Sequence, residues 1–394
     1  MTHFYSFETR LLHNKHKFDP STGAVSVPIQ HATTFHQSNS QRYGKYDYSR
    51  SLNPTRETVE QAIADLEEGC RGFAFSSGMA AISTAFLLLS AGDHVVLSQD
   101  VYGGTYRLVT EVLSRLGIEY SFADMTNLEA VIIATKHNTR VFYIETPSNP
   151  LLKVTDIKAI SHLAKKLGAL TFVDNTFLTP ARQKPLLLGA DLVIHSATKF
   201  LSGHSDVLAG LAVVKNEELA EKLYFLQNTI GAVLGVQDAW LVLRGLKTLS
   251  VRMKQSEASA KNIAASLQSH PLIKKVHYPG LSNHPQYHLQ RRQASGPGAV
   301  LSFELKDEEA IHAFISKVKI PVFAVSLGAV ESILSYPANM SHASLPEKER
   351  EKLGINRRLL RLSVGLEDVD DLMNDFSFAL ENRHYQINRR GEEQ

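Results

Sequence analysis

VFYIETPSNP (141–150), LTFVDN (170–175) and DLVIHSATK (191–199) are three short apolar runs, and each ends on polar residues of a different chemical type. Apolar runs of four or five residues bounded by turn formers read as buried strands. Between the first two lies Ile157–Lys166, whose apolar residues recur at helical spacing. The same alternation extends toward the amino terminus. It predicts helices over Arg56–Leu66, Met79–Leu89 and Thr105–Leu116, and strands over Phe73–Phe75, His94–Ser98 and Ile118–Ala123. Strands alternating with helices predict an α/β fold with a mostly parallel sheet covered on both faces. In such sheets ligands bind beyond the carboxyl ends of the strands, so the polar ends of the three runs are expected to meet in one crevice.

Those polar ends supply what a pyridine-based electron sink needs. Lys199 would hold the cofactor as an imine, and Asp174, ionised and partly buried, would keep the ring nitrogen protonated. Asn149 would donate its amide to the ring oxygen. Ser77-Gly78-Met79 precedes an apolar helix, so the backbone N–H groups of Gly78 and Met79 would cradle a phosphate, with Ser196 and Thr198 adding hydroxyl donors. Tyr102, just after the strand His94–Ser98, would lay its ring on the cofactor and turn its hydroxyl to the substrate. Singly, each residue has a plainer account: a surface lysine, a helix-capping aspartate, a core tyrosine, a turn glycine. All the required types at successive strand ends are a rarer coincidence.

Bulk properties narrow the field. A chain of 394 residues with 43% hydrophobic and 21% charged residues suits a two-domain globular protein, at roughly 100–200 residues per domain. A net charge of +2 without long basic runs argues against nucleic acid as a partner. No apolar run is long enough to span a bilayer, and the start Met1-Thr2-His3-Phe4 does not open a secretory leader. With Cys70 as the lone cysteine, these features lead us to expect a cytoplasmic protein with no membrane association. Histidines such as His13, His16, His195 and His204 show no zinc-type spacing, so no metal is expected. No Gly-x-Gly-x-x-Gly opens a helix after a strand, which argues against a nicotinamide enzyme.

Residues 1–47 are polar and show no useful periodicity, which suggests an arm; a cofactor domain over 48–243 and a smaller α/β domain over 244–394 would follow. The second domain is predicted to hold strands at Ala299–Glu304 and Leu360–Val364 and helices at Glu308–Lys317 and Val369–Asn382, with a frayed tail over Asn388–Gln394.

Ser196-Ala197-Thr198-Lys199 followed by Gly203-His204-Ser205-Asp206 resembles the cofactor-lysine signature of the Cys/Met-metabolism family of pyridoxal-phosphate (PLP) enzymes. The resemblance runs from about Thr22 to Asp375. It implies the PLP-dependent transferase fold type I, like that of aspartate aminotransferase, with pyridoxal 5'-phosphate as cofactor and a homotetramer built as a dimer of dimers. Tyr46 to Thr55 matches the family pattern Tyr-x-Tyr-Ser-Arg-x-x-Asn-Pro-Thr. By that resemblance Tyr48 and Arg50 reach the phosphate of the neighbouring subunit, Arg361 grips the substrate carboxylate, and Ser326 contacts the catalytic lysine or the substrate. Val325 stands where γ-acting members carry glutamate, and Met340–Pro346 and Gly365–Leu372 resemble β-eliminating members of bacterial and plant type. The expected reaction is β-elimination of L-cystathionine to homocysteine, pyruvate and ammonia, catalysed by Lys199 and Tyr102. The alternatives are γ-elimination or γ-replacement and, in a different class, a non-catalytic ligand-binding protein on the same fold; the latter would be expected to lack Lys199 or Arg361.

Overall fold

A computed structural model describes residues 5–13, 18–41, 44–343 and 346–381. His16, the Ser344-Leu345 portion of the Met340–Pro346 motif, the start Met1–Phe4, Asn382 and the charged tail lie outside the described residues.

Seven strands form the larger sheet: β1 (Arg71–Phe75), β2 (His94–Ser98), β3 (Glu119–Ala123), β4 (Thr139–Glu145), β5 (Leu170–Asp174), β6 (Leu192–Ser196) and β7 (Gly210–Val214), in the order β1-β7-β6-β5-β4-β2-β3. The neighbours from β6 through β5, β4 and β2 to β3 are parallel, whereas β7 runs against both β1 and β6. Alternate residues serve two different cores. Val141 and Tyr143 of β4 face one with Phe86, Phe172 and Ile194, while Phe142 and Ile144 face the other with Val173, Val193 and Ile160. With both faces covered, every position can be apolar, which is why these strands read as continuous hydrophobic runs. The helices Gly78–Phe86 and Ile157–Lys166 are among those that cover the two faces.

The second sheet contains β8 (Ile273–His277), β9 (Val300–Leu305), β10 (Val322–Phe323), β11 (Ile333–Ser335) and β12 (Leu359–Ser363), ordered β10-β11-β12-β9-β8 and antiparallel except for β10 with β11. Leu301, Phe303, Leu360 and Leu362 pack with Phe314 and Phe376 into a separate core. The long helix Leu249–Ser269 belongs to both parts: Leu249 and Met253 enter the large-sheet core, and Ile263 and Leu267 enter the second.

Three differences from the sequence reading have clear causes. The segment expected as a featureless arm contains a helix, Phe7–His13, whose Leu11 is buried in the main core while Arg10 bonds the Asp65 carbonyl at 2.9 Å. One buried leucine in seven residues gives no periodicity to detect. The predicted helix Thr105–Leu116 is an α-helical turn, Gly103–Arg107, followed by a π-helical stretch, Leu108–Leu113, and a 3₁₀ turn. Strand β7 and the helix Glu217–Ile230 behind it were not anticipated. Among the described residues no helix is long and apolar enough to cross a membrane.

Candidate active site

Parallel register brings the first two acids together, because Glu145 and Asp174 are direct partners across β4 and β5. Asp174 in turn pairs with Ile194 of β6, two residues before Ser196. Beyond β6 the chain turns sharply. Lys199 donates its backbone N–H to the Ser196 carbonyl at 3.1 Å, and Thr198 Oγ1 both donates to the Ala209 carbonyl at 3.2 Å and accepts from its N–H at 3.0 Å. These bonds fix the lysine-bearing loop against its own return strand.

A cleft of about 430 Å³ opens at these strand ends, and Gly78, Met79, Tyr102, Asn149, Asp174, Ser196, Thr198, Lys199, Ser326 and Arg361 all line it. Ten of the twelve residues singled out from the sequence thus meet in one place. A larger groove, about 720 Å³, runs past Lys153, His277 and Glu304 and contains none of them. Tyr48 and Arg50 are elsewhere. Tyr48 is 42% exposed, and the Arg50 guanidinium lies 5.7 Å from its ring centre and donates to the Asn228 carbonyl at 3.2 Å.

The second part of the chain closes the cleft from the other side. Lys199 Nζ donates to Ser326 Oγ at 2.5 Å. Ser326 holds φ at 85°, a left-handed conformation that costs a non-glycine residue on the order of 1 kcal/mol or more and persists only where the surroundings impose it. Arg361, on β12, donates from Nη1 to Asn149 Oδ1 at 2.8 Å and from Nη2 to the Ser326 carbonyl at 2.6 Å and Ser335 Oγ at 3.1 Å, while its buried Nε has no protein partner. With Oδ1 of Asn149 taken, the amide Nδ2 remains as the donor for a ring oxygen.

Burial sets the electrostatics. It pulls the Lys199 amine down to about 8, helped by the neighbouring Arg361 cation, so about a tenth is neutral at pH 7, far more than for a surface lysine. Burial also lowers Arg361, to about 10, where it is still a cation. Burial also pushes the Asp174 carboxyl up, opposed by the Thr176 hydroxyl and N–H, His195 and the Tyr143 hydroxyl. A cation opposite it, such as a protonated ring nitrogen, would favour the carboxylate further. Behind it, His195 Nε2 and Asn175 Nδ2 both reach Glu67 Oε1, at 2.7 and 2.9 Å, which anchors the Asp174-Asn175 turn.

The sequence reading passed over Glu145, although it carries the same signal as Asp174, an acid ending a buried strand. Its pKa is raised well above the ordinary carboxylate range by burial and by the charge of Asp174. Ser335 and Thr176 were also missed, since each is a small hydroxyl residue whose role comes only from its neighbours.

The residues present fit pyridoxal phosphate. The nine-residue helix Gly78–Phe86 directs its first N–H groups at the cleft with Ser77 as its cap, and these N–H groups have no partner within the helix. A Cβ at Gly78 would come within 2.9 Å of Ser196 Cβ, so only glycine leaves that cradle open. A buried acid, a depressed lysine and a guanidinium share the remaining walls.

Comparison with known proteins agrees. The family model described as "Cys/Met metabolism PLP-dependent enzyme" matches residues 8–381. The chain is 64% identical to cystathionine beta-lyase MetC of Bacillus subtilis over 96% of its own length and 97% of the relative's. It is 51% identical to a cystathionine gamma-lyase of the same organism, over 95% and 99%. Among solved structures, cystathionine gamma-lyase from Lactobacillus plantarum complexed with L-serine superposes with a TM-score of 0.94 at 46% identity, covering 96% of this chain and 99% of that one. The matched motifs, the cleft and these likenesses place the chain in the Cys/Met metabolism family of PLP-dependent enzymes.

Proposed function

We propose that the protein is a carbon–sulfur lyase that cleaves L-cystathionine at Cβ, releasing homocysteine, pyruvate and ammonia. The observation that carries the reading is the meeting of Lys199, Asp174 and Arg361 in one cleft. The choice of Cβ over Cγ is supported by the 64% identity to a chain named for β-elimination. It is also supported by Val325, which lines the cleft with Phe177, Leu208 and Met340 and offers no carboxylate to a distal ammonium.

Bound pyridoxal phosphate supplies an electron-withdrawing ring for the electrons released at Cα. Lys199 would hold the cofactor, and as a free amine it is suited to take the Cα proton, because its surroundings disfavour the ammonium. Arg361 orients the substrate carboxylate with a planar guanidinium already fixed by Asn149, Ser326 and Ser335. Tyr102 contributes a flat face and a hydroxyl donor. Overall the Cβ–S bond breaks, the sulfur leaves with a proton as homocysteine, and water supplies the ketone oxygen of pyruvate as nitrogen departs as ammonia.

Residues 48–243 would then carry the cofactor and 244–394 the carboxylate-binding wall. Tyr48 and Arg50 would complete the phosphate site of a neighbouring subunit in a homotetramer. Incubation of the PLP-loaded protein with L-cystathionine tests the reading. Pyruvate with homocysteine is expected, whereas 2-oxobutyrate with cysteine would establish γ-elimination.

A further inference from the structure

Glu145 lines the cleft, and the hydrogen bonds its carboxyl accepts come from backbone N–H groups. Its Oε2 accepts the Tyr102 N–H at 2.9 Å and its Oε1 accepts the Asn149 N–H at 3.1 Å, so one carboxyl group ties the two loops at the residues that face the cleft, while Ser148 Oγ donating to Asp100 Oδ2 joins them farther back. The side chain is 6% exposed, and neither N–H is given another acceptor by the local turns. The loop from β2 is sensitive to such a tie. Tyr102 opens the short helix Gly103–Arg107 with no side-chain cap, and its ring lies so close to Gly104 that a Cβ there would stand 2.5 Å from Cε1. Where the Tyr102 ring lies therefore follows from where its backbone is held. On the other loop, Asn149 is fixed at its N–H by Glu145 and at Oδ1 by Arg361.

We propose that Glu145 is a positioning residue, one that sets the Tyr102 ring and the Asn149 amide relative to each other and so defines the slot in which the cofactor ring sits. The proposal deepens the reading of the cleft as a PLP site and is independent of which thioether is cleaved. Glu145→Gln keeps the volume but turns an NH₂ toward one of the two N–H groups, so one loop is released.

Three measurements on the full-length protein test it: the dissociation constant of pyridoxal phosphate, the induced circular dichroism of the bound cofactor, and thermal unfolding of the cofactor-free protein. Glu145→Gln is expected to weaken cofactor binding roughly tenfold and to change the induced dichroism, and kcat/KM falls by about 10- to 100-fold, the usual scale for misplacement near 1 Å. In a Tyr102→Ala, Asn149→Ala background the same substitution should cost less than about threefold in cofactor affinity, since nothing is left to position. Equal fractional losses in the two backgrounds would overturn the proposal. So would a lowered unfolding temperature with unchanged cofactor affinity and dichroism, which would make Glu145 a structural acid only. If Glu145→Gln does not fold, Glu145→Asp, which keeps the carboxyl group and withdraws both oxygens, is taken through the same cycle with the same criteria. A parent protein that bound no pyridoxal phosphate would instead refute the cofactor site itself.

Discussion

The strand ends around Asp174 and Lys199 and the block Tyr46–Thr55 carry equally explicit signatures, yet the chain uses them differently. At the strand ends every marked side chain reaches the same cleft, because parallel register leaves no other place for residues at the carboxyl edge. In the block the work is divided. Asn53 caps the helix Pro54–Glu67, Thr55 Oγ1 donates to the Pro28 carbonyl at 2.8 Å, and Arg56 donates to the carbonyls of Ser49, Arg50 and Ser51 at 2.6, 3.2 and 3.0 Å. Asn53 and Thr55, two of the motif's seven fixed positions, hold the backbone rigid together with Arg56, which follows it. Tyr48 and Arg50 hang from that rigid backbone at the surface, away from the cleft. Arg50 bonds the Asn228 carbonyl of its own chain, and neither side chain reaches the cleft; in the proposed assembly both would serve a neighbouring copy. A motif match therefore names a residue's partners without saying which chain supplies them.

The largest effects should come from the cleft. Lys199→Ala is expected to lower turnover on the order of ten-thousand-fold while circular dichroism shows an intact fold, because the substitution removes both the cofactor's attachment and the base at Cα. Near-normal rates would break the assignment. Arg361→Lys keeps the charge but loses the fork that meets Asn149, Ser326 and Ser335 at once. A loss on the order of a hundredfold in kcat/KM is expected, carried mainly by KM, at about 2–5 kcal/mol for disturbing a buried hydrogen-bonded charge. A fall in kcat with KM unchanged would mean that Arg361 does not hold the substrate in its ground state.

A smaller effect separates the buried lysine from a surface one. Lys199 is lowered from 10.5 to about 8, so its folded-state pKa lies below the unfolded value and the folded protein favours the neutral amine. Capture of pyridoxal phosphate by the cofactor-free protein, followed by rapid-mixing absorbance, should accelerate with pH by roughly tenfold per unit below that midpoint and level off above it. A rate still climbing past pH 9 would show an unperturbed lysine. By the same sign, the lysine's contribution to stability grows as pH rises from about 8 toward 10.5 and is lost as pH falls through that window.

How much could be read beforehand follows from where the information sits. Strands β2 and β5 and the helix Ile157–Lys166 were legible to the residue, since each is a local apolar pattern with clear stops. So were ten side chains of the cleft, whose chemistry is carried by residue type. Strand β7 escaped because the turn formers Ser202–Asp206 are followed by one apolar run from Val207 to Val214 with no stop at Gly210, and its antiparallel direction depends on the return of that loop to Ser196. The π-helical stretch Leu108–Leu113 escaped because its leucines and valines suit an α-helix equally well. Glu145 was missed for a different reason: its bonds are to backbone N–H groups 43 and 4 residues away, and no residue type announces a backbone contact.

The arm gives the smallest single-variant effect and the sharpest test of the contrast. Arg50→Ala should weaken cofactor binding about tenfold, the scale of one charge-assisted hydrogen bond, without disturbing Arg56 or the cap at Asn53. Subunit mixing then decides which chain Arg50 serves. When Lys199→Ala and Arg50→Ala proteins are dissociated, combined in equal amounts and reassembled, mixed pairs collect both substitutions in one site if Arg50 reaches across, and their other site is native. Assayed at a pyridoxal phosphate concentration that leaves Arg50→Ala sites largely unloaded, about a quarter of the parental activity should return, because half of the pairs are mixed and half of their sites are intact. If Arg50 instead serves its own chain, every site in the mixed pair carries one substitution and the activity stays at the level of the separate variants. That outcome would require the arm to swing from Asn228 to the cleft within one subunit, and the difference between the two regions would then be one of conformation.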